Sequence, residues 1–212
     1  MLKNNYKQKG LTLIELMIAM ILGIFVTAVI ITVFSTTVRS NVENMKMIRL
    51  NQELRGAMSF MVDELKRAGY SADPNNDSFM SAFNASTASC ILYSYDDDDG
   101  ARKTTGTNQE EFGFRLDSNQ IRWARDTADS CTFTGESITD ANMAEITVLT
   151  FDISGSVNNQ GVSGFAAVPP VSGVSVYDIT ITLTGTTDLP HSPDASRTIT
   201  ETIRVRNDAP TP

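Results

Sequence analysis

The chain has 212 residues, with 17 Lys+Arg against 25 Asp+Glu, a single His and two Cys. Its formal net charge of −8 argues against a nucleic-acid partner, whose phosphates demand clustered Lys and Arg, and against a basic protein of the membrane surface. A mean hydropathy of −0.12 excludes a polytopic membrane protein, and one His with two Cys does not complete a Cys/His zinc site.

The apolar residues are not spread evenly. Residues 1–10 (MLKNNYKQKG) carry Lys3, Lys7 and Lys9 and no acid, and residues 11–34 form an apolar run in which Glu15 is the only charge. About 20 apolar residues cross a bilayer as a helix, so this run is long enough with some tilt. Three lysines before the span, against a sparser Arg39, Lys46 and Arg49 after it, lean the topology towards a cytoplasmic N-terminus and an exported remainder. A cleaved secretory signal has a shorter apolar region and an A-x-A-like site, which this segment lacks. A plain uncleaved anchor leaves two details unexplained. A carboxylate in the hydrocarbon costs roughly 2.5–3.5 kcal/mol, so Glu15 calls for a partner. Gly10, at the border of the basic and apolar segments, lets another protein's backbone approach closely, as a protease must.

Lys9-Gly10-Leu11-Thr12-Leu13-Ile14-Glu15-Leu16 resembles the class III signal of type IV prepilins and type II secretion pseudopilins. The resemblance implies cleavage between Gly10 and Leu11 by a prepilin peptidase on the cytoplasmic side, followed by N-methylation of Leu11. It implies that Glu15 pairs with the amino terminus of a neighbouring subunit during filament assembly. Loss of residues 1–10 as a leader peptide would remove three lysines and make the product more acidic.

After Phe34 the chain continues without Pro or Gly to Gly56. Leu54, Met58, Met61, Leu65 and Ala68 recur at helical spacing, with Ala57 and Val62 beside them and Arg55, Asp63, Glu64, Lys66 and Arg67 opposed. The pattern predicts one helix over about 11–68: a membrane and filament-core part at 11–34 and an outer half in 35–69 that packs its stripe on a sheet. Gly69 is placed as the C′ residue that ends it. Residues 51–70, ending in Arg67-Ala68-Gly69-Tyr70, resemble the region after the span in minor pilins of the PilW type and minor pseudopilins of the GspJ type. Thr32 stands where major pilins usually have a proline.

Residues 70–212 read as a globular β-rich domain. Residues 71–89 are a turn-rich connection, and strands are predicted over 90–95, 111–116 and 120–125, the last two forming a hairpin about Asp117-Ser118-Asn119. Residues 145–153 place Ile146 and Val148 on one face and slip before Phe151 and Ile153. Residues 174–183 read as one strand with a slip at 177–178, and 198–205 pairs with it across the loop at 185–196. The expected fold is α+β and type IV pilin-like: a long N-terminal helix packed on an antiparallel sheet of roughly six strands.

Cys90 and Cys131 lie in the exported part, where thiols oxidise, and a disulfide between them would close a loop of about forty residues. The run Asp96 to Asp99 before Gly100 fails as an EF-hand: with Gly100 at position 6, Tyr95 and Gly106 fall where positions 1 and 12 need oxygen ligands. It reads as a solvated acidic turn, with a weak calcium site of another kind as the alternative. His191 sits in a Pro-flanked loop outside any catalytic motif, Trp123 reads as core, and the polar loop at 154–163 as solvated. No catalytic residue, metal or cofactor is expected.

These readings converge on a minor pilin resembling the PilW family, a structural subunit that primes or caps type IV pilus assembly. It would be held in the inner membrane by a single span before assembly and in the periplasmic or extracellular pilus afterwards. The implied partners are the prepilin peptidase, other minor pilins and the major pilin, with no nucleic acid. A type II secretion minor pseudopilin, or a pilus-borne adhesin or binding module, is the alternative.

Overall fold

The computed structural model describes residues 10–72, 84–97, 110–125, 127, 130–153, 157–158, 174–176, 178–190, 193–205 and 209–210. The chain divides into two compact units, Met1–Met45 and Lys46–Pro212. One helix, α1 (Leu13–Leu65), begins in the first and ends in the second.

In the first unit every described residue from 10 to 34 is exposed. Polar groups here are satisfied locally. Thr27, Thr32 and Thr37 each donate a hydroxyl hydrogen bond to the carbonyl four residues earlier, at 2.7, 2.9 and 2.9 Å. Closed in this way, these hydroxyls present methyl groups outward, and beyond Glu15 the exposed surface of residues 16–34 carries no charge.

The second unit is built on the outer part of the same helix. Leu50, Leu54, Met61 and Leu65 are fully buried, with Ala57, Met58 and Val62 nearly so, extending the expected stripe by one turn at Leu50. The helix stops at Leu65, and residues 66–69 form a turn rather than a further helical turn. Gly69 adopts φ 76°, the left-handed conformation that a residue without Cβ reaches at least cost.

Eleven short strands among the described residues form three antiparallel sheets. The first has the order β1-β2-β3-β4-β5, with β1 at Asn84–Thr87, β2 at Cys90–Ser94, β3 at Glu111–Asp117, β4 at Gln120–Arg125 and β5 at Glu136–Ser137. The predicted hairpin joins β3 to β4 through Ser118 and Asn119, both at positive φ (52° and 61°), the primed-turn geometry that follows strand twist. The second sheet has the order β10-β9-β6, with β6 at Glu145–Asp152, β9 at Asp178–Thr187 and β10 at Ala195–Arg204. The third joins β7 (Val157–Asn158), β8 (Val174–Val176) and β11 (Ala209–Pro210) in the order β11-β8-β7.

Three sequence expectations change. The strand read over 174–183 is two strands, β8 and β9, in different sheets. The six-strand sheet is replaced by the three sheets above. The face change in β6 falls earlier than expected: a register shift between Ile146 and Val148 leaves Val148 exposed and turns Leu149 and Phe151 inward with Ile146. An extra residue in one strand re-aims everything beyond it, which alternation alone does not reveal.

The core lies between the outer helix and the first two sheets, where Ile91, Tyr93, Phe112, Phe114 and Ile121 meet Ile146, Leu149, Ile179, Ile181 and Leu183. The turns of the first sheet close the free edge of β6, since Ile146 donates its N–H to Asn119 O and Phe151 donates to Ala88 O, both at 2.9 Å. Gly185 on β9 lets the helix come close: a Cβ there would lie 2.9 Å from Leu54 Cδ2.

Candidate functional site

Gly10 and Leu11, where the sequence leads one to expect cleavage, precede α1 and are exposed. Next to them Thr12 and Glu15 form a reciprocal cap. Thr12 N–H and hydroxyl both donate to Glu15 Oε2 at 3.4 Å, and Glu15 N–H donates to Thr12 Oγ1, also at 3.4 Å. This is a capping box, with Thr12 as N-cap and Glu15 at the third helical position, where the helix dipole favours negative charge. Thr12-x-x-Glu15 is the T-x-x-E signature of such a box, a local signal that the prepilin-like motif overlies. The box gives Glu15 a local partner, but a poor one. Contacts of 3.4 Å are long for hydrogen bonds, both use Oε2, and Oε1 accepts none among the described residues. A cationic amine would bind the same carboxylate at about 2.7–2.9 Å and roughly twice as strongly. The cap therefore presents the carboxylate at the helix start without saturating it.

The end of α1 is fixed differently. Arg67 pairs with Glu64 Oε1 at 3.0 Å and with Asp97 at 3.7 Å, and its guanidinium lies 4.2 Å from the centroid of the Tyr95 ring. Gly69 N–H donates to Ser94 O at 2.8 Å, and Asp96 N–H donates back to Tyr70 O at 2.9 Å. The Arg67-Ala68-Gly69-Tyr70 segment thus bolts the helix exit to the end of β2. Glu64, itself buried, accepts hydroxyls from Tyr93 at 3.3 Å and Tyr95 at 3.2 Å, and Tyr93 in turn accepts Trp123 Nε1–H at 3.1 Å. Burial, followed by the nearby Glu64 charge, pushes both phenols above their ordinary value. They act as hydrogen donors inside the fold, and Trp123 packs partly buried against the core as expected.

Cys90 and Cys131 are joined as a disulfide, with Cα atoms 6.1 Å apart. The bridge straps the segment after β4 to the outer face of the first sheet, where Phe133 covers Cys90, Leu92 and Ala124. Of the acidic run, Asp96 accepts Ala72 N–H at 3.0 Å, and Asp97 is paired with Arg125 at 2.8 Å as well as with Arg67. Those two carboxylates are structural. Asp98, Asp99 and His191 lie outside the described residues, as do residues 1–9 and all of 154–163 except 157–158. Among the described residues no group of three or more His, Cys, Asp or Glu is arranged to hold a metal ion.

Comparison with known proteins gives two matches. Residues 43–205 match the family model described as prepilin peptidase-dependent protein B. Residues 5–35 match the prokaryotic N-terminal methylation motif. No curated protein and no solved structure matches the chain.

Proposed function

Because the chain belongs to the prepilin peptidase-dependent protein B family, we propose that it is a minor pilin, a non-catalytic subunit that primes or caps a type IV pilus. The methylation motif and the apolar N-terminal helix fit an inner-membrane-anchored pilin; Lys3, Lys7 and Lys9 favour a cytoplasmic side for residues 1–10. A prepilin peptidase cuts between Gly10 and Leu11, and the new amino group of Leu11 is methylated. Glu15 then exchanges its weak internal cap for the amino terminus of a neighbouring pilin, and the helices bundle as the filament core.

The observation that carries this reading is the state of Glu15: the only charge in 24 apolar residues, at an exposed helix start, held by 3.4 Å contacts. A carboxylate of that kind in hydrocarbon is stable only while a partner is supplied. The test is to purify filaments and read their minor components by mass spectrometry. The proposal expects this chain at low copy number, beginning at a methylated Leu11. Filaments of normal composition that lack it, in cells that make it, would refute the assignment.

A further inference from the structure

Past Phe34 the first unit carries three more apolar residues, Val38, Val42 and Met45, spaced four and three apart and all exposed. They lie beyond the uninterrupted apolar run, where a bilayer no longer covers them. Their contact with water is a cost that a second apolar surface would remove. Written as heptads abcdefg with Val38 at a, the three fall at a, e and a. The charges of α1 up to Met45 are Glu15, Arg39 and Glu43, and they fall at f, b and f. No charge stands at a, d, e or g, the positions through which two parallel helices face each other.

A second observation lies on the same face, inside the apolar run. An apolar notch in the helix surface is lined by Met20, Gly23, Ile24, Thr27, Ala28 and Ile31. The same frame places these at d, g, a, d, e and a. A Cβ on Gly23 would meet nothing within 4 Å, and Thr27 turns its hydroxyl back to Gly23 O at 2.7 Å. In lipid, helices associate where small residues let their backbones approach. The notch and the water-exposed stripe are thus two parts of one seam.

We propose that α1 of a second copy of this chain packs along this seam from Met17 to Met45, parallel and in register. The inference rests on the membrane-anchored reading above. Two copies anchored in one bilayer run in the same direction, about a two-fold axis along the membrane normal, so each seam residue meets its own counterpart. The uncharged flanks oppose no like charges. Asn41, at d, meets the other Asn41, and its amide both donates and accepts, a pairing that fixes register at a cost in stability. Glu15, at f, stays outside the seam. The pair therefore holds subunits together in the membrane and leaves the assembly carboxylate open.

Cysteine cross-linking of the full-length chain tests this, in membranes of cells that cannot assemble filaments; the native cysteines are already joined to each other. Val38→Cys, at a, gives a covalent dimer on oxidation. Ser40→Cys, at c on the far side of the helix, gives roughly tenfold less. In the Val38→Cys background, Gly23→Leu fills the notch and lowers the dimer roughly tenfold. Ala19→Leu, at c, leaves it unchanged. Glu15→Ala leaves it unchanged as well, which separates this pair from filament assembly. Absence of the Val38→Cys dimer while Cys90–Cys131 remains intact overturns the proposal. Equal yields at 38 and 40, or a dimer indifferent to Gly23→Leu, overturn it too.

Discussion

The two ends of α1 use hydrophobic residues in opposite ways. Between Leu13 and Phe34 the helix is apolar on all sides and every side chain is exposed, with Leu22 at 58% and Ile24 at 69%. Between Leu50 and Leu65 apolar residues occupy one stripe, opposed by charge, and the stripe is spent in the protein's own core. The first pattern has no use for its hydrocarbon inside the chain and needs a membrane or other helices. The second closes on itself. The contrast teaches that the fold is carried by one stretch of a continuous element while the other is left for the proposed assembly, so that a substitution in either should leave the other's property intact.

The strongest way to break that contrast is to delete the same side chain from each end. Leu54→Ala removes a fully buried group that touches the backbone near Gly185, and is expected to cost about 2–5 kcal/mol of domain stability. Leu22→Ala, at an exposed position, should leave the melting midpoint of the full-length chain in detergent unchanged. Equal losses from the two would mean that the anchoring end is part of the fold.

Alkaline pH should strike the buried end alone. Tyr93 and Tyr95 are held above their ordinary value of 10.0, so an unfolded chain ionises first. The stability they contribute is complete below about pH 10 and is lost as pH rises through their folded values. Thermal melting between about pH 9 and 11 should therefore show a falling midpoint, and Tyr93→Phe should make the fall shallower, at a cost of about 1–3 kcal/mol at neutral pH from the Glu64 and Trp123 groups it leaves behind. A variant with the wild-type slope would remove Tyr93 from the account.

The smallest effect has the opposite sign. Gly56 lies in the helix where a Cβ would meet nothing within 4 Å. Gly56→Ala should stabilise the domain by about 0.5–1 kcal/mol by restricting the unfolded chain and favouring the helix. Destabilisation there would show that the helix bends at Gly56 in solution.

Much of this division could be read in the sequence because it rests on period and punctuation. The apolar block, the stripe from Leu54 to Leu65 and the turn at Ser118-Asn119 are local signals that the fold preserves, whereas the helix ends at Leu65, four residues before the Gly69 at which the pattern places its stop. What escaped reading depended on partners far along the chain. Alternation in β6 shows that the face changes, but the place of the change, between Ile146 and Val148, is set by a bulge in its pairing with β9, about thirty residues away. The separation of β8 from β9 is likewise decided by which sheet each joins. β1, β5, β7 and β11 are two to four residues long, too short to show a period. At the candidate site, Gly10, Leu11 and Glu15 were legible as a motif. The capping role of Thr12 was equally legible as a T-x-x-E signature, and the stronger meaning given to Glu15 concealed it.

The central claim is that Glu15 serves assembly and contributes nothing to the domain. Glu15→Ala in the full-length chain, followed through processing, melting and recovery in purified filaments, tests it most directly. The account predicts normal cleavage before Leu11, an unchanged domain melting midpoint and absence of the subunit from filaments. A variant that enters filaments at the wild-type level would contradict it.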